Sequence, residues 1–107
     1  MLLIFKIMLL LCVHTTTASY YGIKHQGKKT ASGELFNINK FTGAHKTLPF
    51  GTWVKVTNLS NNKSVAIKIN DRGPFIKNRE IDLSLCAFKT IADIKQGVIN
   101  IKYKIIR

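Results

Sequence analysis

Carboxylates are scarce in this chain: five Asp plus Glu stand against seventeen Lys plus Arg, for a formal net charge of +12. Cysteine is scarcer, with only Cys12 and Cys86, and Cys12 lies in an apolar N-terminal run. A disulfide framework is therefore excluded, and the fold must close without a covalent staple. Repeats, low-complexity stretches, interior linkers, a phosphate loop, metal-ligand spacing and a Ser-His-Asp order are also missing. No metal and no cofactor is expected.

With 107 residues the chain has room for one domain. Residues 1–18 are expected to lie outside it. Met1 to Val13 is almost wholly apolar, with Lys6 its only charge, and Thr16-Thr17-Ala18 supplies small residues at the −3 and −1 positions of a cleavage site. That pattern reads as a secretory signal peptide, too short for a membrane span of about 20 residues. Cleavage after Ala18 gives a domain over residues 19–107 in an exported protein, in the periplasm or cell envelope. Cys12 follows Leu11, where a lipid-attachment site wants a small residue, so loss with the leader is expected rather than an outer-membrane lipid anchor.

The charge calls for an acidic partner without choosing one. Fourteen of the cations are Lys and three are Arg. Lysine is a point charge, whereas bidentate phosphate reading favours arginine. For an exported chain, wall polymers are favoured over nucleic acid, which is not an expected partner. A solvated, lysine-biased surface explains the composition equally well.

Alternation organises the rest. Trp53 to Asn58 reads as a strand, Ser60-Asn61-Asn62-Lys63 as a turn, and Ser64 to Asn70 as a strand with Val65, Ile67 and Ile69 on one face. Val98 to Arg107 is a third strand; Ser19 to Gly22 and Phe41 to Ala44 are shorter candidates. One short helix is expected, capped by Ser84, with Leu85, Phe88, Ile91 and Ala92 at helical spacing until Gly97. A mainly β chain with one short helix and no disulfide suggests a small closed barrel, since closure removes exposed sheet edges.

Ile69-Asn70-Asp71-Arg72-Gly73-Pro74-Phe75 runs a half-buried strand into a carboxylate, a guanidinium and a turn. A rigid strand end is where a scaffold aims a catalytic group. A plain turn, with Asp71 accepting from the backbone downstream, fits the same residues. His45 and Glu34 lie at other strand-to-loop junctions and could equally be structural or surface residues. Asp82, just before the helix, is expected to cap it or to pair with Arg72 or Arg79.

Several segments then occur in order: Ala18-Ser19-Tyr20-Tyr21-Gly22, Thr30-Ala31-Ser32-Gly33-Glu34-Leu35-Phe36, Ala44-His45-Lys46-Thr47-Leu48-Pro49-Phe50-Gly51-Thr52, Val56-Thr57-Asn58-Leu59, the Asp71 segment, and Ile81-Asp82-Leu83-Ser84. From Ala18 to the C-terminus the chain resembles the rare lipoprotein A family of bacterial cell-wall proteins. The resemblance implies a six-stranded double-psi β-barrel and an endolytic lytic transglycosylase acting on peptidoglycan glycan strands. It implies Asp71 as the essential acid, His45 as its partner and Glu34 as a third catalytic position. Tyr21, Thr30, Ser32, Lys46, Asn70, Arg72 and Phe75 are expected to contact substrate, and Asp82, Gly73 and Pro74 to be structural. No counterpart of the C-terminal glycan-binding module of larger members is expected, and the barrel is expected to act as a monomer.

The implied reaction cleaves the MurNAc-GlcNAc β-1,4 bond and leaves a 1,6-anhydro end. One carboxyl protonates the leaving oxygen and then accepts the proton of the muramyl 6-hydroxyl. Asp71 must then hold a proton near neutral pH, so Arg72 has to point elsewhere, toward Asp82 for instance. Three rivals remain: a hydrolase using Glu34 and Asp71 as a pair, a non-catalytic expansin-like wall-binding barrel, and a basic protein that binds nucleic acid or anionic lipid.

Overall fold

The computed structural model describes residues 13–107. The apolar run up to Cys12, on which the expected signal peptide and the lipid-anchor question fall, lies outside the described residues. Six strands follow in chain order: β1 (His14–Tyr21), β2 (Thr42–His45), β3 (Trp53–Asn58), β4 (Ser64–Asp71), β5 (Arg79–Ser84) and β6 (Ile99–Ile105). They close into a barrel in the order β1-β5-β2-β4-β3-β6. Two parallel pairs, β1–β5 and β2–β4, are joined by antiparallel pairings along every other seam.

The alternation seen in the sequence is what fills this barrel. Val54, Val56, Ile67, Ile69 and Ile101 are completely buried, whereas the intervening Lys55, Ala66, Lys102 and Lys104 face solvent. The one α-helix among the described residues, α1 (Leu85–Ile91), closes an end with Ala87, Phe88 and Ile91. Phe88 is fully buried against Tyr20, with ring centroids 4.7 Å apart, and such a side chain contributes about 1.5–3 kcal/mol by burial.

Three details differ from the sequence reading. β1 begins at His14, so the expected boundary between Ala18 and Ser19 falls inside a strand. Ala18 is fully buried, and His14 to Ala18 all pair with β6. The barrel therefore starts five residues earlier; the small, β-branched Thr15 to Thr17 satisfy a strand as readily as a cleavage site. Ser84 occupies the N-cap position of α1 but makes no side-chain cap, because its hydroxyl donates to the Lys40 carbonyl at 2.6 Å. Helical spacing also ends at Ile91, and a separate 3-10 turn, Ile94–Gln96, is capped by Asp93.

Candidate active site

A bulge decides where Asp71 points. In β4, Val65, Ile67 and Ile69 face inward, so strict alternation would send Asp71 into the core. Gly43 pairs with Ile69, but Ala44 pairs with Asp71, which leaves Asn70 as an extra residue. A bulge of this kind re-aims the following side chain. Asp71 shares the outer face with Ala44, and Ala44 pairs on its other side with Asp82 of β5. Asp82 in turn pairs with Ser19. The row Ser19–Asp82–Ala44–Asp71 therefore crosses four strands, with two carboxyls flanking a methyl group.

Tyr21 and Thr42 also lie on this face. Their hydroxyls are buried, and Thr42 is the hydrogen-bonding neighbour of the Tyr21 phenol. Burial, followed by the Asp71 carboxylate, pushes the Tyr21 phenol well above its ordinary range. Over the row lies the loop Thr30–Glu34. Ala31 N–H donates to Asp71 Oδ1 at 2.9 Å, as does Arg72 N–H at 2.9 Å. Ser32 N–H ties the loop to the Asn70 carbonyl, and the Thr30 hydroxyl shares a hydrogen bond with that of Ser32. Among the described residues Asp71 Oδ2 receives no hydrogen bond, which leaves it free for a ligand.

Asp82 is held differently. Arg79 Nε lies 2.9 Å from Oδ1 and Arg79 Nη2 donates to Oδ2 at 3.2 Å. Oδ1 is close in charge contact, but it has no aligned hydrogen bond. Burial raises the Asp82 carboxyl above its ordinary value, although Arg79 pulls the other way. Of the expected partners Arg72 and Arg79, the structure selects Arg79.

Arg72 turns away from both carboxyls. Its Nη1 donates to the carbonyls of His45 and Leu48, at 3.2 and 2.8 Å, and its guanidinium lies 4.0 Å over the Phe50 ring. Arg72 is thus engaged as a brace for the β2–β3 connection. The turn that follows it requires Gly73, whose φ is +116°. Pro74 is buried, and Phe75 projects at 81 % exposure.

His45 hydrogen-bonds neither Asp71 nor Asp82, which corrects the expected pairing. As the neighbour of outward Ala44 it turns inward, opposite Ile81. Its Nδ1 accepts the N–H groups of Thr47 and Leu48, both at 3.1 Å. Two amides on Nδ1 require its lone pair, which assigns the proton to Nε2. Nε2 then donates to Tyr103 Oη at 3.1 Å, and Tyr103 donates to Glu80 at 2.6 Å. Burial lowers the His45 pKa below its ordinary value, while Glu80 opposes that shift.

Glu34 is exposed and paired with Lys68 at 3.0 Å, which lowers its pKa. It stands in the loop over the carboxyl row as an ionised side chain. Lys46 is exposed beside Arg79 and Glu80, away from the loop over Asp71. The site residue undervalued by sequence reasoning is Asp82. Its signal was the short alternation Ile81-Asp82-Leu83, which hid a strand behind flanking charges.

A closed six-stranded barrel with two parallel pairs set between antiparallel seams is a double-psi β-barrel. The family model described as lytic transglycolase matches residues 13–103, and the chain belongs to that family. Its relatives include the endolytic peptidoglycan transglycosylase RlpA of Pasteurella multocida, 50 % identical over 90 residues. The protein of the same name in Haemophilus influenzae is 54 % identical over 81 residues. These matches cover 84 % and 76 % of this chain but only 31 % and 28 % of the relatives. The fold is also that of the Streptomyces papain inhibitor, with a TM-score of 0.72 at 24 % identity, covering 90 % of this chain and 96 % of that one. An expansin of Clavibacter michiganensis has a TM-score of 0.71 at 21 % identity over 90 % of this chain and 51 % of its own.

Proposed function

We propose that this barrel is an endolytic peptidoglycan transglycosylase of the cell envelope, cleaving the MurNAc-GlcNAc β-1,4 bond at the Asp71–Asp82 row. The observation that carries the reading is the placement of two carboxyls on one outer face across Ala44. Their environments differ, and separated environments are how a site divides acid from base. Asp82, raised by burial, donates its proton to the glycosidic oxygen as the C1–O bond breaks. The muramyl 6-hydroxyl oxygen closes onto C1, and its proton passes to Asp71 Oδ2. Solvent then returns that proton to Asp82. The sequence expectation gave both steps to Asp71; its two amide donors suit the carboxylate half better.

The relatives' names support the substrate class, and family membership supports the reaction class. His45 enters as a positioning residue, since its carbonyl and side chain brace Arg72 and the β2–β3 connection. A second reading, an expansin-like barrel that binds glycan without cleaving it, draws on the Arg79 fork, which would hold Asp82 ionised. Incubation of the full chain with purified peptidoglycan, followed by product masses, separates the readings. Anhydro ends support transglycosylation, reducing ends indicate hydrolysis, and unchanged glycan leaves only binding.

A further inference from the structure

Beside the carboxyl row runs a second row on the same outer face. Thr42 of β2 pairs with Lys68 of β4, and Lys68 pairs with Trp53 of β3. Thr42 lies two residues before Ala44 and so shares its face; the two rows are about 7 Å apart along the strand. Asn39, Lys40 and Phe41 lead into Thr42, and with Lys68 and Trp53 they line an open cleft of about 300 Å³. Phe41 is half exposed, and neither it nor Trp53 stacks on another aromatic ring among the described residues. Trp53 is the only tryptophan of the chain. Cations outnumber carboxylates here. Glu34 pairs with Lys68 at 3.0 Å, and the charge of Lys40 also lowers the Glu34 carboxyl. Lys40 itself forms no ion pair among the described residues, so two ammoniums against one carboxylate leave a single positive charge uncompensated. The Lys68–Glu34 pair is open to solvent, and exposed pairs are weak, so an arriving carboxylate can share its ammonium.

We propose that this cleft is a subsite for an acidic sugar: a muramyl unit whose ring lies against Phe41 and Trp53 and whose carboxylate is held between Lys40 and Lys68. Ligand sites combine apolar and aromatic walls with a few charged groups that fix orientation. A sugar ring carrying one carboxylate presents the matching chemistry, an apolar C–H face and one negative charge. A neutral sugar would leave the surplus charge unmet, and a nucleic acid strand asks for several cations along a groove. The inference rests on the glycan-cleaving reading of the carboxyl row. Thr42 borders both places, so a glycan strand engaged at Asp71 and Asp82 reaches the cleft without leaving the face.

The test is titration of the full chain with soluble peptidoglycan fragments, read by the fluorescence of Trp53. The probes are fragments stripped of stem peptide, fragments bearing it, and chito-oligosaccharides of equal length, which lack the carboxylate. Muramyl fragments shift the emission, and Lys40→Gln weakens their binding by about tenfold. Chito-oligosaccharide binding changes by less than about twofold in the same variant. Glu34→Gln removes the competing carboxylate and tightens muramyl binding by about threefold. Lys102→Gln, on β6 away from the cleft, removes the same charge and changes binding by less than about twofold. A loss with stem-free fragments assigns the recognised carboxylate to the lactyl group, and a loss confined to stem-bearing fragments assigns it to the stem; either supports the subsite. Unchanged binding in Lys40→Gln, an equal loss with chito-oligosaccharides, or an equal loss in Lys102→Gln would overturn it. Product masses from the same variants keep the two readings apart. Anhydro ends with lysine-independent binding sink the subsite alone, whereas lysine-dependent binding without cleavage sinks the transglycosylase reading alone.

Discussion

Asp82 and Asp71 lie in one cross-strand row with only Ala44 between them. One is half-buried against a guanidinium, and the other is tethered by two backbone amides. The asymmetry follows from strand position: Asp82 is mid-strand in β5, whereas Asp71 ends β4 just past a bulge. Two carboxyls in unlike surroundings can hold one proton between them without exchanging roles, and that is what glycosidic cleavage needs.

The pH profile of glycan cleavage should carry this signature. A carboxyl raised by burial keeps its proton to higher pH, so the falling limb of kcat/KM is shifted upward from where an ordinary Asp would put it. Arg79 opposes the shift, and Arg79→Gln should move that limb to still higher pH. Movement toward lower pH, measured over the same range, would remove Asp82 from the acid role.

His45 makes stability depend on pH in the opposite sense from a salt-bridged histidine. Its folded pKa is lowered, so the folded state binds fewer protons than the unfolded one. Its contribution is complete above the ordinary value of about 6.5 and is lost as pH falls from there through the lowered folded pKa. Thermal melts at several pH values should show a decline on acidification that His45→Gln reduces. Losing both amide partners of Nδ1 should also cost about 1–3 kcal/mol at neutral pH.

Gly43 leaves no room for a side chain. A Cβ there would sit 2.6 Å from Ile67 Cδ1 and 3.0 Å from the Asp82 carbonyl. Gly43→Ala should destabilise the barrel by about 1–3 kcal/mol, seen as a lower midpoint in denaturant. Because the clash reaches β5 at Asp82, activity should fall further than stability alone explains.

The barrel's first strand gives a deletion test. A chain beginning at Ser19 loses the pairing of His14 to Ala18 with β6 and the fully buried Ala18. It should melt well below a chain beginning at Val13, or fail to fold. Equal melting temperatures would mean that this half of β1 contributes nothing.

The hairpin and β6 were legible because alternation is a local signal: Trp53 to Asn58 was read to the residue, and Val65, Ile67 and Ile69 face the core as read. β5 was not, since Arg79, Glu80 and Asp82 break its apolar pattern, and its pairing with β1 and β2 is entirely long-range. The groove was legible only in part. Nothing local to Asn70 announces the bulge that turns Asp71 outward, and it exists only where β4 meets β2. His45 looked like a partner for the acid because sequence brings out residue types at loop junctions, not the face toward which a side chain turns. Arg72 was expected to point away from Asp71 and does, although toward the His45 and Leu48 carbonyls rather than Asp82.

The carboxyl row is tested most directly by comparing Asp71→Asn and Asp82→Asn with the unaltered chain in product masses from purified glycan strands. The account predicts anhydro-ended fragments from the unaltered chain, and from each variant a loss of about 10²–10⁴ in rate with glycan binding retained. Undiminished fragment release by either variant would contradict it.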